Sequence, residues 1–183
     1  MIKEIKFKKA RLLFGTFFCL IMLSILITFL LKPNIFIRNV FMKSEHIQII
    51  GIIGSIYFLT LIFSILKLFP REYAIQITKE FLIDNSKYES LGKIEWGNVS
   101  KIKKVKRKSI ELFVNKSVLQ SRKTNLVKKI LVFMNNWNYK KSIIISSALM
   151  NCSLEELYDE INLAHQNHKK SANKSHISNT PTL

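Results

Sequence analysis

The sequence predicts an α+β protein in two parts: a two-helix transmembrane hairpin, then a small antiparallel β-barrel or sheet closed by a C-terminal helix. Three observations predict it. Residues 12–31 and 47–66 are each 20 positions long without a charged side chain. The chain beyond Pro70 changes to short runs rich in β-branched and aromatic residues, separated by turn residues. Ser153-Leu154-Glu155-Glu156 then opens an amphipathic stretch with the signature of a capping box.

A helix of 20 residues spans about 30 Å, the thickness of a bilayer's hydrocarbon core. The first run follows a basic start, Lys3, Lys6, Lys8, Lys9 and Arg11, as a secretory signal does. It is too long for a signal's apolar region, and Leu30-Leu31-Lys32-Pro33 offers no small-residue cleavage site. Both runs are therefore read as membrane spans, joined by a loop at 32–46. Lys and Arg number five in residues 1–11, three in the loop, and 21 after the second span. The bias places both termini in the cytoplasm and the loop outside. The expected location is the inner (plasma) membrane, multi-pass. Small residues recur at four-residue spacing: Gly15 and Cys19, Ser24 and Thr28, Gly51 and Ser55. That spacing lets helix backbones approach closely, within the hairpin or between copies. Neither span holds an Asp, Glu, Lys, Arg or His, which argues against a pump, transporter or proton relay.

The soluble half carries most of the formal net charge of +17. Tyr73-Ala74-Ile75-Gln76-Ile77 and Phe81-Leu82-Ile83-Asp84 read as strands joined by Thr78-Lys79-Glu80, with Asp84-Asn85-Ser86 as the next turn. Ile94 and Trp96 share one face of a third strand, and Ile110, Leu112 and Val114 share one face of another. Residues 118–136 place Leu119, Leu126, Val127, Ile130, Leu131, Phe133 and Met134 at helical spacing, with Arg122, Lys123, Lys128 and Lys129 between them. This predicts a basic amphipathic helix, either packed on the sheet or lying in the membrane surface. Residues 142–146 read as a last strand. The final helix is expected over about 153–167, with Leu154, Leu157, Tyr158, Ile161 and Ala164 as its apolar stripe. Residues 169–183 are too polar to bury and are expected to be disordered. The domains read as a basic tail at 1–11, the hairpin at 12–66, a folded domain at 67–168, and the polar tail.

Strands closed by one C-terminal helix give the outline of a pleckstrin-homology-like domain. The order of a basic start, a two-helix hairpin, Phe81-Leu82-Ile83-Asp84, Ile94-Glu95-Trp96 with Val99 and Ile102, Ile145-Ser146-Ser147, and Cys152-Ser153-Leu154-Glu155-Glu156-Leu157 goes further. It resembles a family of small bacterial membrane proteins of unassigned activity that join such a hairpin to a pleckstrin-homology-like domain. The resemblance covers roughly residues 5–168 and implies a fold and a location. It brings no catalytic residues.

No catalytic constellation is found. The glycines form no phosphate or dinucleotide loop, and no Gly-x-Ser-x-Gly elbow is present. His165 and His168 lie at i, i+3 without an evident third ligand, and read as a solvated helix end. Cys152 precedes a helix N-terminus but has no base nearby in sequence. No enzyme, cofactor or metal site is expected. The densest feature is Lys101, Lys103, Lys104, Lys106, Arg107 and Lys108, six positive charges in eight residues. It reads as a solvated strand and turn, or as a surface for anionic lipid headgroups. Nucleic acid is disfavoured because no aromatic stacking platform interleaves the lysines. The expected function is non-enzymatic: a membrane protein presenting a basic cytoplasmic domain to anionic lipid or a protein partner. The alternatives are a bacteriocin or toxin immunity protein and a small accessory subunit of a membrane complex. Oligomeric state is not legible.

Overall fold

A computed structural model of the chain describes residues 2–37, 43–105, 109–120, 126–135 and 142–178. The chain forms two compact units. One is Lys9–Pro70; the other combines Met1–Lys8 with Arg71–Leu183.

The first unit holds α1 (Lys9–Leu31) and α2 (Ser44–Leu66), with a single 3₁₀ turn at Pro33–Phe36. Both helices are apolar on all sides, so neither has a solvent face. Each is 23 residues long with a mean hydropathy of 2.5 over its most apolar stretch, and is long and apolar enough to cross a membrane. Only 17% and 11% of those stretches are buried. A core helix of a soluble protein hides most of its apolar surface, whereas here Phe14, Phe17, Ile53 and Ile56 are among the large side chains left exposed. The two helices pack through Gly51 and Gly54. A methyl group on Gly54 would sit 2.8 Å from a Leu26 methyl, and one on Gly51 would sit 3.1 Å from the Leu26 carbonyl oxygen. Of the small-residue pairs, Gly51 and Ser55 are thus buried within the hairpin. Ser24 and Thr28 are exposed and return their hydroxyls to the carbonyls four residues earlier.

The second unit is α+β. Its first sheet has the order β1 (Lys3–Ile5), β2 (Ile75–Ile77), β3 (Phe81–Asp84), β4 (Gly92–Glu95). Its second has the order β5 (Val99–Val105), β6 (Ser109–Val114), β7 (Ser142–Ser146). All neighbouring strands are antiparallel. The sheets do not close into a continuous barrel. One isolated bridge, Phe7 to Met150, links the segment after β1 to the residue that follows the 3₁₀ turn after β7.

Local chemistry explains these elements. Thr78 Oγ1 accepts from the N–H of Phe81 at 3.0 Å and closes the β2–β3 turn. Asp84 Oδ1 accepts from the N–H of Ser86 at 2.9 Å and ends β3. Gly92 opens β4 with φ of +80°, a conformation that glycine adopts without strain. Ile94 and Trp96 are buried together, and the Trp96 indole donates to the Thr78 carbonyl at 2.9 Å. Ile110, Leu112 and Val114 all face inward from β6. Two short helices, α3 (Lys116–Gln120) and α4 (Leu126–Asn135), precede β7. The last element is α5 (Leu154–Ser178), which packs on β2, β5, β6 and the turn at Trp96. The capping box forms as the spacing predicts: Ser153 N–H donates to Glu156 Oε2 at 2.8 Å, and Glu156 N–H donates to Ser153 Oγ at 3.1 Å.

Four features depart from the sequence reading. The basic start is not a separate tail, because Lys3–Ile5 is a strand and both Ile5 and Phe7 are buried. Of the helix expected at 118–136, the described residues fall in α3, which starts earlier at Lys116, and in α4; residues 121–125 and 136 lie outside the described residues. Leu131 of α4 is buried, but Leu126, expected on its apolar face, is exposed. The last helix runs past residue 167 to Ser178; the rest of the expected disordered tail, residues 179–183, lies outside the described residues.

Candidate functional site

The described part of the basic run, Lys101, Lys103 and Lys104, falls on β5, an edge strand of the second sheet. Strand register divides its lysines between faces. Lys101 stands opposite Phe113 and Lys103 opposite Glu111, on the face away from Leu112. Lys104 stands opposite the buried Ile110, on the inward face, yet its own side chain is exposed. Its ammonium lies 4.5 Å from the centre of the Tyr158 ring of α5, a cation–π contact. Lys103 lies 5.8 Å from the Phe113 ring. All three lysines are exposed. Lys106, Arg107 and Lys108 lie outside the described residues. The run is therefore not one uniform face. Lysines along an edge strand also discourage pairing with another chain, so part of this charge protects the edge of β5.

The second basic group is also divided. Lys128 of α4 is half-buried, with its ammonium 5.3 Å from the Tyr88 ring, whereas Lys129 is exposed. Arg122 and Lys123 lie outside the described residues.

A buried polar cluster follows the hairpin. Arg71 Nη1 donates to the carbonyls of Asn85 at 2.7 Å and Lys87 at 2.9 Å, pinning the loop after β3. Asp84 is fully buried, and burial pushes its carboxyl above the ordinary aspartate range. Hydrogen bonding from Ser86 and Ser90 and the charge of Lys87 oppose that rise. The Ser86 hydroxyl is buried without a well-formed hydrogen bond, so its backbone N–H is the firmer partner. Burial lowers the Arg71 pKa, while Asp84 and Glu89 favour its charge. The cluster is a structural clasp, because its polar groups are spent on one loop.

His165 was expected at a solvated helix end. It is buried, and its Nε2 lies 2.9 Å from the Val99 carbonyl at the start of β5. Its ring lies 6.0 Å from Trp96. Burial lowers its pKa; Lys169 and His168 act the same way, against the hydrogen bond to Val99. The signal was the spacing Leu157, Ile161, His165, which puts the imidazole on the buried stripe of α5. Among the described residues, no group of three or more His, Cys, Asp and Glu side chains is placed to hold a metal ion.

A groove of about 470 Å³ lies between α5 and the β2–β3 turn, lined by Ile77, Glu80, Leu163 and His168 among others. Lys3 and Glu160 form an ion pair at its edge. The Ser171 hydroxyl in its lining donates to the Asn167 carbonyl at 3.0 Å, within α5. Comparison with protein-family models, curated proteins and solved structures finds no match to this chain.

Proposed function

We propose that the chain is a two-span protein of a bacterial inner membrane whose domain, of pleckstrin-homology-like type, lies on the cytoplasmic side. The domain acts without catalysis, presenting exposed lysines to anionic lipid headgroups, with an acidic protein partner as the other occupant of the same surface. The observation that carries this reading is the pairing of β1 with β2. β1 precedes the apolar hairpin and β2 follows it, yet they align residue for residue from Lys3–Ile77 to Ile5–Ile75. If the helices cross a bilayer, this sheet requires both ends of the hairpin on one side. An even number of spans meets that requirement. The excess of Lys and Arg outside the loop supports the cytoplasmic side.

The pleckstrin-homology-like type is supported by a four-stranded and a three-stranded antiparallel sheet followed by one long helix. The lipid reading is supported by Lys101, Lys103 and Lys104, each of which contributes about 1 kcal/mol when held near an anionic surface. An anchored domain needs no high intrinsic affinity, because the anchor supplies the effective concentration.

The test uses the full chain in nanodiscs. Amides of β5 should exchange more slowly in discs of mixed anionic lipid than in neutral ones, and added salt should abolish the difference. Replacing Lys101, Lys103 and Lys104 together with Ser should also abolish it. Equal exchange in both lipids would rule out a headgroup surface on β5.

A further inference from the structure

We propose that residues 3–8 form a mechanical clamp, which converts displacement of α1 within a bilayer into opening of the seam between the two sheets. This rests on the reading that α1 and α2 span a membrane.

Segment 3–8 is bonded on both of its sides, to the first sheet through β2 and to the turn that follows β7. β1 pairs with β2, and the Ala74 N–H donates to the Ile5 carbonyl at 2.8 Å. On its other side, Asn151 N–H donates to the Lys6 carbonyl at 3.0 Å, and Lys8 N–H donates to the Leu149 carbonyl at 2.9 Å. Ile5 and Phe7 fill the seam with buried side chains, while Lys3, Glu4, Lys6 and Lys8 are exposed. The next residue, Lys9, is the first of α1. No loop residue separates the last seam hydrogen bond from the helix. The other flank differs. After α2 ends at Leu66, eight residues pass before β2 begins at Ile75. The connection is longer behind α2 and direct in front of α1.

Because the backbone passes from residue 8 into α1 without a loop, a pull on the helix reaches residues 3–8 through the chain itself. An apolar run of 20 residues matches an average hydrocarbon core of about 30 Å. In a thicker bilayer the ends of that run are drawn inward, and the charged domain cannot follow. Tension then falls on residues 3–8. Their withdrawal frees the edge of β2 and parts the Lys3–Glu160 ion pair. It also opens two hollows that Lys3 lines: the groove of about 470 Å³ beside Leu163, and one of about 330 Å³ beside Cys152. The device makes the exposure of the β2 edge depend on membrane thickness.

The experiment follows hydrogen exchange at residues 3–8 and 75–77 of the full chain in nanodiscs of short-, medium- and long-chain phosphatidylcholine. Exchange in both segments should rise about tenfold or more in the long-chain discs, as a local opening does, and stay low in the other two. A second variant carries Glu4→Cys and Gln76→Cys in a background of Cys19→Ser and Cys152→Ser. Glu4 and Gln76 are direct partners across the strands, within disulfide reach. When oxidised, this variant should lose the thickness dependence; when reduced, it should regain it. Exchange independent of thickness in protein that stays embedded would overturn the clamp and leave the membrane reading standing. Release of the chain from vesicles by alkaline carbonate would overturn the membrane reading, and the clamp with it.

Discussion

Two lysine-rich segments of this chain, residues 3–8 and 101–105, each take part in a strand at one end of its sheet's order, and they do opposite things. In the first, Ile5 and Phe7 alternate with Lys6 and Lys8, so the apolar pair goes inward and locks the seam. In the second, Lys103 and Lys104 are adjacent, one on each face, and none of residues 101–105 is fully buried. The difference shows that lysine density says little about role. What alternates with the lysines decides whether a basic strand is a piece of the core or a solvated border.

The largest effect should come from Phe7→Ala. Truncating a buried phenylalanine typically costs about 3–5 kcal/mol, a large share of the stability of a domain this size. Denaturant unfolding of the detergent-solubilised chain, followed by tryptophan fluorescence, should show it. A loss below about 1 kcal/mol would break the contrast, placing the first segment on the same footing as the second.

Next in size is His165, which holds the start of β5 through the Val99 carbonyl. His165→Ala leaves that buried acceptor unpaired and should cost about 1–3 kcal/mol. The pH dependence has a defined sign. The folded-state pKa is lowered, so the folded form resists the proton that the unfolded form takes up below about 6.5. The stabilising contribution is complete above that value and declines as pH falls through the folded pKa. His165→Gln should remove this part of the acid sensitivity. An unchanged profile would assign the sensitivity elsewhere. Asp84 has the opposite sign. Its raised folded pKa favours the proton in the folded state, so its contribution declines as pH climbs from about 4 through the folded value. Asp84→Asn should flatten that decline.

Ser153→Ala comes third, at about 1 kcal/mol for a lost cap. The helix it starts carries both Tyr158, beneath Lys104, and Glu160, paired with Lys3. Amide exchange in the first turn of α5 should rise while β6 stays protected. The smallest effect should come from Lys103→Ala, within about 0.5 kcal/mol in stability. A loss as large as that of Phe7→Ala would mean that β5 is held by its charge.

The hairpin was legible because length and absence of charge suffice to identify an apolar span. Strands β3, β4, β6 and β7 were legible because their alternation is local. β1 was not, although Ile5-Lys6-Phe7-Lys8 already shows a two-residue period. Its partner lies some 70 residues away across the hairpin, and the nearby charges invited a topology reading instead. His165 was misread for a related reason: its side chain suggested a polar end, while its position on the Leu157–Ile161 stripe marked it as core. The basic run was legible as charge but not as a site, because its faces are set by pairing with β6.

The central claim is that the apolar hairpin is inserted between two adjacent strands of one sheet. Cross-linking in the native membrane tests it most directly. With Cys19 and Cys152 replaced by Ser, Glu4→Cys and Gln76→Cys should join within one chain on mild oxidation. In the reduced state, both thiols should react with an impermeant reagent from the same side only. Labelling of the two cysteines from opposite sides, with no cross-link, would contradict the account.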